Sequence, residues 1–120
     1  MIKAIASATT HSELKVLGVQ LFAMEQSDDK KGAITAYKLK RKELDAAMVA
    51  AAPKGSVLAK ALYHVNTMGK EGKVTTGKCG VILFDMNKNG KFTAPEADLI
   101  FRSFTYRKDM IAKASAVAAA

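Results

Sequence analysis

The chain has 120 residues, enough for one domain or for two small helical units. Hydrophobic residues make up 49% of it, but 21 of them are Ala and only 8 are aromatic, a balance that favours closely packed helices over a sheet sandwich. One Cys, Cys79, excludes an internal disulfide framework, and with only His11 and His64 beside it a structural zinc site is excluded too. The net charge of +8 points to an anionic surface or partner without naming one, and each half of the chain carries +4 of it.

The opening stretch MIKAIASATTHSELK lacks the continuous apolar run of a signal peptide, and the longest such run, Val81 to Phe84, is far short of a membrane span. The expectation is a soluble, cytoplasmic protein with no membrane span, compatible with a place in a larger particle.

The periodicity predicts a first helix from Thr10 to Met24. Thr10 and Glu13 have the spacing of a capping box, and Leu14, Leu17, Leu21 and Met24 share one face. Ser27 to Gly32 reads as a break. A second helix is expected from about Thr35 to Ala52, with Leu44, Ala47, Met48 and Ala51 as its stripe and Pro53 as its stop. Lys54-Gly55 is a linker, and Ser56 caps a third helix carrying Leu58, Leu62 and Val65. Gly69 to Gly77 reads as loop, extended around Val74. A short helix is expected over Lys78 to Phe84, and a last one from Thr93 through Met110, fraying towards the Ala-rich end.

A tetrapeptide of the form Gly, any residue, apolar, Thr recurs at 32–35, 72–75 and 90–93. Its flanks agree as well, TMGKEGKVTTGK beside DMNKNGKFTAPE, so the reading is three copies of a helix-loop-helix element.

The third copy carries chemistry. Residues 85–96 satisfy D-x-[DN]-x-[DN]-G-x5-E through Asp85, Asn87, Asn89, Gly90 and Glu96. A calcium ion needs six to eight oxygens at about 2.3–2.6 Å, and a tight loop supplies them from alternate residues. Asp85, Asn87 and Asn89 offer side-chain oxygens, Gly90 makes the sharp turn, and Lys91 offers its carbonyl. Thr93 acts directly or through water, and Glu96 closes the shell with both carboxylate oxygens.

This loop and its flanks resemble the EF-hand family. Val81 and Phe84 match the apolar positions of that family's incoming helix, and Ala97, Ile100, Phe101 and Phe104 match those of its outgoing helix. The resemblance implies an all-α bundle of helix-loop-helix elements with short β-pairing between loops, Phe92 lying in the strand, and one Ca2+ per chain. It implies a single domain over 1–120, made of a degenerate hand at about 12–52, a degenerate loop at about 56–78 and a calcium-competent hand at about 79–113. With Ile34 aligned to Phe92, the first copy places Ser27, Asp29 and Lys31 at positions one, three and five, and Lys38 at the closing position. The middle copy offers Thr67, Gly69 and Glu71, then Lys78. An ammonium in place of the closing carboxylate repels a cation, so both are expected to stay empty.

Other features weigh less. Lys38, Lys40, Arg41 and Lys42 form a basic cluster that reads as a solvated helix face, since Glu43 and Asp45 follow and no aromatic residue interleaves. Cys79 and His64 lack the third orienting group of a nucleophilic site, and no enzyme is expected. Of six Met, only Met24, Met48 and Met110 fall on apolar faces, which reads as core filling. The expected function is a calcium-stabilised structural or docking module in a larger assembly. A calcium sensor for a target helix, or a basic accessory protein bound to nucleic acid, are the alternatives.

Overall fold

The computed structural model describes residues 1–119, with side chains through Val117. The chain divides into two compact units, Met1–Ala51 and Ala52–Ala120, where a single domain was expected. Each unit contains three helices, and no strand occurs among the described residues. The expected β-pairing between loops is therefore absent there, for a local reason. Ile34 lies inside a helix and Phe92 in a tight turn, so neither offers extended backbone to pair.

Unit 1 comprises α1 (Ile2–Ser7), α2 (His11–Phe22) and α3 (Asp28–Ala51). The Thr10 hydroxyl accepts the Glu13 N–H at 3.1 Å, but the Glu13 carboxylate reaches back one residue further, to the Thr9 N–H at 3.1 Å, so only half of the expected capping box forms. Leu14 and Leu21 are buried on the expected face of α2. Ile5 and Ala8 join Leu14, Leu21 and Ala33 in the core, with Leu17, Met24, Ile34, Tyr37 and Leu44 packed around them. Gly18 lets two helices close in: a Cβ there would stand 2.8 Å from Cε2 of Tyr37.

α3 begins at Asp28, well before the expected Thr35. The Ser27 hydroxyl accepts the Lys30 N–H at 3.1 Å, and Asp28 and Asp29 place negative charge on the first turn, where the helix dipole favours it. These signals outweigh Gly32, which sits within the helix. The expected loop from Ser27 to Lys38 is thus a cap followed by helix, and Ser27 corresponds to the last loop residue rather than the first.

Unit 2 comprises α4 (Val57–Thr67), α5 (Thr76–Lys88) and α6 (Ala94–Ala119). Ser56 and Thr75 cap α4 and α5, accepting the N–H of Ala59 and of Lys78 at 3.2 Å each. The core gathers Leu58, Ala61, Val65, Met68, Cys79, Leu83 and Ile100. Met68 is fully buried whereas Met110 is half exposed, which reverses their expected places. Around Val74 the chain makes a closed loop, with the Gly69 N–H donating to the Val74 carbonyl at 2.9 Å. Arg107 on α6 donates from Nε and Nη2 to the Met68 carbonyl at 3.2 and 2.9 Å, tying down the end of α4.

Candidate functional site

The tetrapeptide repeat resolves into caps. In two copies the final Thr is the N-cap of the next helix, Thr75 for α5 and Thr93 ahead of α6. In the first, Thr35 is inside α3 and its hydroxyl donates to the Lys31 carbonyl at 3.2 Å. A glycine three residues before a capping Thr is what the two agreeing copies share.

The 85–96 segment links α5 to α6. Asp85, Met86, Asn87 and Lys88 form the last turn of α5, and Asn89 is its C-cap. Gly90 adopts φ +69°, a left-handed conformation that glycine takes without strain. The Gly90 N–H donates to the Asn87 carbonyl at 3.0 Å and the Lys91 N–H to the Met86 carbonyl at 3.1 Å. Those two bonds around a left-handed glycine make a Schellman C-cap. On the far side, the Thr93 N–H donates to Oε1 of Glu96 at 2.9 Å, and the Glu96 N–H donates to the Thr93 hydroxyl at 3.3 Å. This is a complete capping box at the head of α6. The half-buried Phe92 ring meets Phe101 edge-on at 6.5 Å, and Phe84 lies 5.2 Å from Phe101, so the turn is anchored to the unit.

These positions fit a calcium ion only in part. Gly90, Thr93 and Glu96 stand where the loop pattern needs a sharp turn, a polar side chain and a carboxylate on the first turn of the outgoing helix. Asp85 and Asn87 do not converge. Two residues apart on a helix, they point about 200° from one another around its axis. The Glu96 carboxylate is also engaged by Thr93. As folded here the segment is a helix-to-helix turn, and it becomes an oxygen cage only if the last turn of α5 opens. No group of three or more His, Cys, Asp or Glu side chains able to hold a metal occurs among the described residues. This motif contributes just Asp85 and Glu96 to such a count, so amide, hydroxyl and carbonyl oxygens would have to complete any shell.

Elsewhere the basic cluster of α3 is partly engaged. Lys40 pairs with Glu43 at 3.3 Å, and Arg41 lies 5.7 Å above the Tyr37 ring. Cys79 is fully buried, and burial pushes its thiol pKa up, the opposite of what an activated nucleophile needs. Two further arrangements lie outside the motifs of the sequence. His11 and Asp45 pair at 2.9 Å across α2 and α3, and their separation of 34 residues leaves no local signal. On α4, Lys60, Tyr63 and His64 share a face that bounds a small pocket, a spacing of i, i+3, i+4 that the sequence does carry. No family model matches this chain, and no curated protein or solved structure is significantly similar to it.

Proposed function

We propose that this protein is a calcium-stabilised helical structural or docking module of a larger assembly, taking one Ca2+ at residues 85–96. The observation that carries the reading is the position of Glu96, third residue into α6, with its carboxylate turned back towards the loop. The complete ligand pattern and the left-handed Gly90 support it. Asp85, Asn87, Asn89, the Lys91 carbonyl, Thr93 and Glu96 are the proposed donors.

Affinity is modest for two reasons. Asp85 and Glu96 are balanced by Lys88 and Lys91, so the loop has no net charge to attract a cation. Opening the end of α5 also gives up the bonds of Asn89, Gly90 and Lys91 to the carbonyls behind them, each contributing about 0.5–1.5 kcal/mol. A dissociation constant of about 10⁻⁵–10⁻³ M is expected. The structural reading is preferred to the sensor because Val81 and Phe84, 70% and 65% exposed, already border an open apolar groove with Phe104, so no ion is needed to uncover it.

Calorimetric titration with calcium tests this. One site of that affinity, weakened at least tenfold by Glu96→Gln, supports it. Two sites, or wild-type affinity in the variant, overturns it.

A further inference from the structure

The charge of the molecule is unevenly divided between its units. Residues 52–120 hold 11 Lys and Arg against 5 Asp and Glu, while residues 1–51 hold 8 against 6. Most of the excess therefore lies in unit 2, and one concave patch there combines it with an open aromatic ring. The patch is a pocket of about 280 Å³ bounded by Lys54, Gly55, Ala59, Lys60, Tyr63 and His64. No carboxylate lines it. Lys54 and Lys60 are exposed and form no ion pair among the described residues.

Tyr63 is 52% exposed, unusually open for a ring that is also held in place. The Lys73 ammonium donates to its hydroxyl at 2.9 Å and lies 5.5 Å from the ring centroid. His64 meets the ring edge-on at 6.0 Å. The ring is thus oriented and stays accessible, with the Lys73 ammonium beside it. Gly55, at φ +82°, presents bare backbone at the mouth, with no atom within 4 Å of where a Cβ would lie.

We infer that this pocket binds one nucleotide unit, its base stacked on Tyr63 and its phosphate held by Lys54 and Lys60. The volume falls just below the about 300–1,000 Å³ of drug-sized ligand pockets, so the pocket has room for no more than one nucleotide unit. Sequence-tolerant stacking on an aromatic ring beside a basic track is the chemistry by which proteins hold single strands. A free nucleotide offers the same base and phosphate. The site is separate from residues 85–96, so its failure leaves the calcium reading untouched.

Fluorescence anisotropy of a labelled twelve-residue single-stranded DNA at low salt is the test, with AMP as competitor. Binding is expected to weaken at least about tenfold in Tyr63→Ala and to persist in Tyr63→Phe, since stacking needs the ring and not the hydroxyl. Lys54→Gln with Lys60→Gln should flatten the dependence of log affinity on log salt by about 0.7, the share of the one phosphate they hold. Lys38→Gln with Lys42→Gln on α3 should change affinity less than twofold. Displacement by millimolar AMP identifies the free nucleotide as ligand, and resistance to it identifies the strand; either supports the site. If Tyr63→Ala loses helicity, the exposed lysine pair decides alone. Absence of binding to both probes overturns the inference. So does binding that the Lys54 and Lys60 changes leave unaltered, or that only the α3 changes remove.

Discussion

The turn between α2 and α3 and the turn between α5 and α6 are assembled from similar parts, and they differ most at one position. Each middle helix buries residues four apart, Leu14 and Gly18 on α2, Cys79 and Leu83 on α5, and leaves apolar side chains outside, Val16 and Val19 or Val81 and Phe84. Each long helix is capped by a hydroxyl, Ser27 or Thr93. Three residues after the cap, unit 1 has Lys30 and unit 2 has Glu96. The Lys30 ammonium is buried and donates to the Met24 carbonyl at 2.8 Å and the Phe22 carbonyl at 3.4 Å, so a covalently attached cation closes the end of α2. Glu96 instead presents an anion to the equivalent turn. One turn carries a buried cation on the carbonyls behind it; the other carries a carboxylate that accepts the Thr93 N–H. Lys38, expected at the closing position of the first copy, lies exposed inside α3, ten residues beyond Asp28, and takes no part in this turn.

The largest effects are expected in the two cores. Leu21 is fully buried in unit 1 and Leu83 in unit 2. Truncation of either to Ala should cost about 2–5 kcal/mol. A unit of this size has little stability to spare, so denaturant unfolding should show the affected unit lost. Next comes Lys30→Met, which keeps the apolar stem and removes the ammonium. Two carbonyls then lose their donor, and stability should fall by about 1–3 kcal/mol without creating a metal site. A stabilised Lys30→Met variant would show that the buried ammonium is a burden and not a closure.

Gly18→Ala probes the contact between α2 and α3. The new Cβ meets the Tyr37 ring at 2.8 Å, and overpacking of about 1–3 kcal/mol outweighs the gain of about 1 kcal/mol in helix propensity. A thermal melt above wild type would mean that Tyr37 moves aside freely. The smallest effect is expected for Glu96→Gln in the absence of metal. A glutamine also completes a capping box, so stability should shift by less than about 0.5 kcal/mol. The same change should nearly abolish calcium binding, which separates the cap from the ligand.

Much of this architecture is legible in the sequence because helix starts are written locally. Thr10, Ser56 and Thr93 cap where their spacing to Glu13, Ala59 and Glu96 places them. α1 is not legible: six residues give too few turns for a periodic stripe, and Ile5 reveals its role only by being buried. The start of α3 is hidden by Gly32, a helix breaker in isolation that the Ser27 cap and two aspartates override. The closures by Lys30 and Arg107 are invisible for another reason. Cationic side chains are rarely buried, and nothing in their flanks says which carbonyl they will reach. For the candidate site, the ligand pattern is plain in the sequence, whereas the Schellman cap that competes with it depends on the same Gly90 and shows only in the backbone.

That competition is the centre of the account, and the backbone chemical shifts of Asp85, Met86, Asn87 and Lys88 report on it most directly. Titrated with calcium and followed by NMR, these four residues should lose their helical shifts in proportion to occupancy of a single site. The amide of Thr93 should move as Glu96 lets go of it, and the melting temperature should rise. Helical shifts at all four residues that stay unchanged up to about 10 mM calcium, well above the expected dissociation constant, would contradict the account and leave residues 85–96 as a capped turn between two helices.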